Sequence, residues 1–433
     1  MILPRVALQT GQWHDLDVNS LGGGDTMIRS KRVIAALAAT TLVAGACGSS
    51  PKPAANATSG KTYTIGVLTD LTGPGSNTGS TTLQGIKAGI GLATKQGYHI
   101  KYVTADTGTS LTQTLTAAKT LVEQDHVFAV IQVSVVGFAA ASYLTSAGIP
   151  VIGGNVDGPE WLTARNMFSV FGYADYTKVQ TTLGQIFKQL GATNFGGVAY
   201  SIEPSSYDNV KGSAISAQVA GLKVGYLNTQ LSIGTTDMGP IALAMKSDGV
   251  NAVYPAVTSQ TSFALVNQLR QLGVSFKALL PTGYGGDLTG GGPGAAQAAQ
   301  GVYFTDGFEP FEMQTAATKR MASALKTYAG WTGDPTISEY MAYLSIDALV
   351  KGLQAGGSNP TQASFINTML GITNYNAAGL WGGRTSSFAL AGRGSVSGAD
   401  NCDWITQYSG STFHLVPHLD PICGQNVPGK TVS

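Results

Sequence analysis

The sequence is poor in the residues on which most catalytic and nucleic-acid-binding chains depend. Only 11% of its 433 residues are charged, and 25 cations against 24 carboxylates leave a formal charge of +1. No basic block follows Arg32, which removes the electrostatic footprint a nucleic-acid partner requires. The five histidines (14, 99, 126, 414 and 418) are dispersed. His414 and His418 are four apart, but an expected strand and Pro417 separate them, so no metal site is expected. No Gly-x-Ser-x-Gly elbow presents a nucleophilic serine. Gly73-Pro74-Gly75 and Gly79 sit between a strand and a helix, but their spacing misses the dinucleotide fingerprint, and Pro74 removes an N–H that a phosphate would need. Glu309 and Glu312 suit a solvated connection better than an acid/base pair. Neither a catalytic constellation nor a cofactor is indicated.

What is present begins with residues 27–47, MIRSKRVIAALAATTLVAGAC. Arg29, Lys31 and Arg32 precede an uncharged run over 33–45, which closes on Ala44-Gly45-Ala46-Cys47. That order is a secretory signal, too short to span a bilayer, which needs about 20 apolar residues. The terminal cysteine resembles a bacterial lipobox, in which the thiol takes diacylglycerol and becomes the first mature residue; an ordinary signal that happens to contain a cysteine is the alternative. Met27 stands next to the basic cluster, so residues 1–26 are expected to be translated leader. Residues 47–61 are small, polar and proline-containing, a flexible tether. Three cysteines in an exported chain leave Cys402 and Cys423 as an even pair once Cys47 carries lipid, which favours a disulfide.

The remainder is long enough for two ordinary globular units. Strands are expected at 64–68, 98–103, 128–132 and 149–152, alternating with helices whose apolar faces carry Leu83, Ile86 and Ile90, then Leu111, Leu115, Ala118 and Val122. The alternation restarts with a helix over 176–190 and strands at 195–200, 223–226, 252–255 and 278–280, with helices at 207–219 and 262–272. Residues 285–300 form a connection, helices follow near 315–328 and 338–353, and 404–415 alternate as a hairpin turning at Ser409 and Gly410. The fold class is α/β, with parallel sheets flanked by helices.

The segments TIGVLTDLTGP (64–74), LVEQDHVFAVI (121–131), AGIPVI (147–152), GPEWLTAR (158–165) and QGVYF (300–304) come in an order and spacing that resembles the periplasmic-binding-protein family serving importers of the leucine/isoleucine/valine and amide type. The resemblance runs from about residue 63 to 415. It implies a type I two-lobed clamp, with 62–172 plus 305–383 as one lobe and 173–304 plus 384–430 as the other. Three hinge crossings would fall near 168–173, 302–306 and 381–388. It implies a non-enzymatic, monomeric receptor on the extracytoplasmic face. That receptor would be lipid-anchored to the membrane and would hand a small molecule to an ABC permease and ATPase, or else serve a sensor.

The family's carboxylate-gripping Ser-Ser-Gly loop, aligned on Gly137, puts Val135 and Val136 where hydroxyls are usual, with Ser134 one place earlier. Asp157 replaces a usual threonine, and Thr282 stands where the second lobe usually offers an acid. Asp175 and Tyr207 survive. Asn155, Thr258 and Tyr284 complete the expected ligand-binding set. Asp157 would repel a ligand carboxylate, and a buried charge must meet donors or a cation. This favours a neutral or cationic ligand bearing an amide or amine, with an apolar part against Val135, Tyr207 or Tyr284; the alternative is that Ser134 still grips a carboxylate. Mass spectrometry of the exported protein should find diacylglycerol on Cys47, and an unmodified thiol would remove the anchor; peptide mapping of an uncleaved mutant should find no peptide from residues 9–25.

Overall fold

A computed structural model describes residues 60–154, 156–290 and 294–432. The expected leader, signal, Cys47, most of the tether, and Asn155 lie outside the described residues. Strands β1 (Thr62–Thr69), β2 (His99–Asp106), β3 (Ala129–Val133), β4 (Val151–Gly153) and β5 (Met167–Ser169) make one all-parallel sheet in the order β2-β1-β3-β4-β5. Interior β3 is buried at all five positions, whereas edge strand β2 buries only Ile100. That contrast is what helices covering both faces of a parallel sheet require.

After a short strand β6 (Lys178–Gln180), the chain builds a second sheet from β7 (Asn194–Tyr200), β8 (Lys223–Leu231), β9 (Ala252–Ala256), β10 (Lys277–Leu280) and β11 (Tyr303–Asp306), all parallel. Strands β12 (Cys402–Ser409) and β13 (Thr412–Leu415) extend it antiparallel, giving the order β13-β12-β11-β10-β9-β7-β8. Between β11 and β12 the chain returns to the first sheet, where helix Ile337–Gly356 packs on β3, β4 and helix Thr82–Lys95. The chain therefore passes between the sheets three times. Arg393 ties two of these passages together. Its guanidinium lies 4.3 Å over the Tyr173 ring and donates to the carbonyls of Trp161, Ala164 and Phe388 at 2.8, 2.9 and 2.8 Å.

Three local expectations are corrected. The helix expected over 176–190 starts only at Thr182, because residues 178–180 pair as β6 with the distant β15 (Asn426–Thr431). That partner, some 250 residues away, overrides the local apolar spacing of Val179 and Leu183. The β12–β13 turn is one residue later than expected: Ser409 pairs Thr412, so Gly410, at φ +65°, and Ser411 form it. Helices Gly239–Ser247 and Gln362–Leu370 were not anticipated. The expected disulfide is present, joining Cys402 on β12 to Cys423 on β14 (Ile422–Cys423), where the two are direct cross-strand partners.

Glycines set the closest helix contact. A Cβ on Gly85 would lie 2.4 Å from the Glu339 carbonyl oxygen, and one on Gly89 would lie 2.6 Å from Ile346 Cβ. Helix Ile337–Gly356 can sit this deep because its start is closed by a capping box. Thr336 Oγ1 accepts from Glu339 N at 3.1 Å, and the Glu339 carboxylate accepts from Thr336 N at 2.7 Å. In an exposed helix Gly→Ala adds about 1 kcal/mol of stability. Gly85→Ala is expected to do the opposite, costing about 1–3 kcal/mol by overpacking, as a lowered urea midpoint at unchanged m-value.

Candidate functional site

The carboxyl ends of the parallel strands in the two sheets converge on a cavity of about 340 Å³. This is where an open α/β sheet presents its loops to a ligand. From the first sheet come Asp70, one residue past β1, and Ser134 and Val135, just past β3. From the second come Glu203 after β7, Thr258 after β9, Thr282 after β10 and Phe308 after β11. Asp403 on β12 enters from the antiparallel extension, and Asp175, Tyr176 and Lys178 from the segment after the first passage.

Of the residues expected to bind ligand, Ser134, Val135, Asp175, Thr258 and Thr282 line this cavity, but several are already engaged. Ser134 Oγ donates to Asp70 Oδ1 at 2.7 Å, Val135 N donates to Oδ2 at 3.0 Å, and the Thr107 hydroxyl also donates to this carboxylate. The loop expected to grip a ligand carboxylate therefore holds one of the protein's own. Burial raises the Asp70 pKa, and these three hydrogen bonds oppose the rise. Thr258 Oγ1 shares a hydrogen bond with the Tyr200 hydroxyl at 2.9 Å, and Thr282 Oγ1 donates to the Val257 carbonyl at 2.8 Å. Asp175 meets the Lys178 ammonium at 3.5 Å and accepts from Thr177 Oγ1 at 2.6 Å.

Three expected residues stand outside the lining. Asp157 is 1% exposed beneath the floor and meets the donors its burial demands, Gln132 Nε2 at 3.0 Å and Trp161 Nε1 at 2.8 Å. Its carboxyl is pushed well up by burial, with the nearby Glu160 charge adding to the effect. Tyr207 instead has the Lys211 ammonium over its ring at 5.5 Å. Tyr284 turns away: its hydroxyl donates to Glu312 at 2.7 Å and accepts from Phe311 N at 3.0 Å, and its ring lies 4.7 Å from that of Phe413. The carboxylates expected to be solvated at 309 and 312 are drawn in as well, Glu309 being buried and hydrogen-bonded by Thr315 Oγ1 at 2.7 Å.

Sequence reasoning missed Asp70, Glu203, Asp403, Tyr176 and Tyr254. The first two were findable, because each lies within three residues of the carboxyl end of an expected strand. Asp403 was not, since it reaches the cavity only through the pairing of β12 with β11. Gly424, Gly429, Lys430 and Thr431 match the spacing of a phosphate-binding loop, another signal passed over. They run into strand β15, however, with no helix following among the described residues, so the backbone does not form that cradle.

A family model described as periplasmic binding protein matches residues 62–408. The fold aligns with a solute-binding protein of an ABC transporter from R. palustris solved with 4-hydroxybenzoate, at TM-score 0.66 and 16% identity, covering 84% of this chain and 98% of that one. It also aligns with a branched-chain amino acid transporter substrate-binding protein from Streptococcus pneumoniae in complex with isoleucine, at TM-score 0.65 and 17% identity, covering 85% and 99%. A leucine-binding protein from Thermotoga maritima gives TM-score 0.65 and 17% identity, covering 83% and 99%. A sequence search of curated proteins finds no match.

Burial pushes the carboxyls of Asp403, Glu160 and Glu339 up to about 7. An unfolded chain loses those protons near pH 4. Between about pH 4 and 7 the folded state thus binds more protons, and stability falls as pH rises through that window. The ligand-free protein should melt at a higher temperature at pH 5 than at pH 8. Asp403, whose charge also bears on Tyr254 and Tyr176, should account for part of the slope, so Asp403→Asn is expected to flatten it.

Proposed function

The chain belongs to the periplasmic-binding-protein family, and from that premise we propose that it is an extracytoplasmic lipoprotein that captures a small molecule between two lobes and delivers it to an ABC importer. The observation that carries this reading is the shared cavity, where Asp70, Ser134 and Val135 from the first sheet face the same space as Glu203, Thr258, Thr282 and Asp403 from the second. A ligand held by both sets gains contacts available only when the lobes are together, and that differential affinity drives closure. The lobes are 62–172 plus 305–383 and 173–304 plus 384–430, so the hinge comprises the three passages.

Two structures of this fold hold ligands as different as 4-hydroxybenzoate and isoleucine, so fold alone does not name the ligand here. Cys47 supplies the anchor in this reading, and residues 48–61 let a monomeric clamp reach a permease and ATPase without fixing its orientation. No helix among the described residues is long and apolar enough to cross a membrane, which is consistent with attachment by lipid.

A thermal-shift screen of amino acids, amides, amines and aromatic acids tests the reading. A true ligand at a hundred times its Kd should stabilise the protein by about 2.7 kcal/mol. Cellular uptake of that ligand should be lost on deleting this protein; intact uptake with a lost transcriptional response would make it a sensor instead.

A further inference from the structure

The charge balance of the cavity narrows the ligand class, given that the cavity is the solute site. Four carboxylates line it, Asp70, Asp175, Glu203 and Asp403, against one cation, Lys178. Lys178 is not available to an anionic ligand, because its ammonium pairs with Asp175 at 3.5 Å and donates to the Gly394 carbonyl at 2.7 Å. Asp70 takes the Ser134 hydroxyl and the Val135 N–H, the donors at the mouth of β3.

Glu203 differs from these. It is 8% exposed at the start of helix Pro204–Val219, makes no side-chain cap, and among the described residues no hydrogen bond or ion pair reaches its carboxylate. Burial raises its pKa far above the usual carboxylate range, and the charges of Asp157 and Asp70 add to the rise. Next to it, Ser205 Oγ is buried without a partner. Asp403, beside the disulfide, likewise receives no hydrogen bond or ion pair among the described residues. A carboxylate taken out of water without donors or a counter-charge is a costly arrangement, relieved by protonation or by an incoming cation. The rings of Phe171, Tyr176, Tyr254 and Phe308 line the same space, offering an apolar wall and faces suited to a cation.

We propose that the cleft takes an organic cation, an amine or diamine with an apolar body and no carboxylate, whose ammonium group is received by Glu203 with Asp403 as a second anionic contact. Ser205 Oγ accepts or donates a further hydrogen bond to the bound solute. An amino-acid zwitterion is disfavoured, since its carboxylate would face those of Asp70 and Glu203.

Calorimetry at pH 7.5 with 1,4-diaminobutane, agmatine and tyramine, against isoleucine and 4-hydroxybenzoate, tests this. At least one of the three amines should bind, and Glu203→Gln should weaken that binding by about tenfold or more. The unliganded Glu203→Gln protein should melt no lower than the parent, because the change replaces a buried carboxyl that has no partner with a neutral amide of the same shape. Preference for isoleucine or 4-hydroxybenzoate would overturn the proposal and leave the solute-binding reading standing. So would failure of all three amines while other solutes bind, or amine binding indifferent to both Glu203→Gln and Asp403→Asn. If no amine, amino acid, amide or aromatic acid binds at all, both readings fall.

Discussion

Removing carboxylates from water is costly, and much of the cleft is arranged around it. A buried ionised carboxylate must find donors, find a cation, or take a proton. The molecule uses all three answers. Asp157 finds Gln132 and Trp161, Asp70 finds Thr107, Ser134 and Val135, and Asp175 finds Lys178. Glu203 and Asp403 are left to the proton, with pKa values raised by burial. The difference decides which acids are structural and which remain free to act on a solute.

The scaffold that holds these groups is closely packed where helices meet, and the chain passes between its two sheets three times. Gly85 and Gly89 let helix Ile337–Gly356 lie directly on helix Thr82–Lys95, so a segment from late in the chain packs against the first sheet. Arg393 binds carbonyls near the first passage and at Phe388 near the third, which couples those two passages mechanically. The Cys402–Cys423 bridge joins β12 to β14 immediately beside Asp403, fixing the backbone that carries this acid. Stability and binding chemistry are thereby linked through the same residues.

Local pattern was a good guide where an element's own neighbours settle its state. The strand at 64–68, the helix carrying Leu111 to Val122 and the strand at 278–280 all lie where their periodicity put them. It failed where a distant partner intervened. Lys178–Gln180 became a strand because β15 arrives beside it, and no window of a dozen residues contains that information. The site followed the same division. Ser134 and Thr282, placed by the resemblance to the family's loops, line the cavity, and so does Thr258. Asp157 and Tyr284 lie outside the cavity lining, because a side chain's direction depends on packing around it.

By itself, then, the sequence determined the α/β alternation, the parallel sheets and the even cysteine pair. Each of these follows from short-range spacing or from composition. Tertiary structure alone decided which carboxylates face the cavity and which are paid off by donors beneath it. Several of those outcomes depend on contacts between residues far apart in the chain, such as Asp70 with Thr107 and Lys178 with Gly394. Burial and hydrogen bonding are properties of that three-dimensional neighbourhood, and they set the charge a ligand meets.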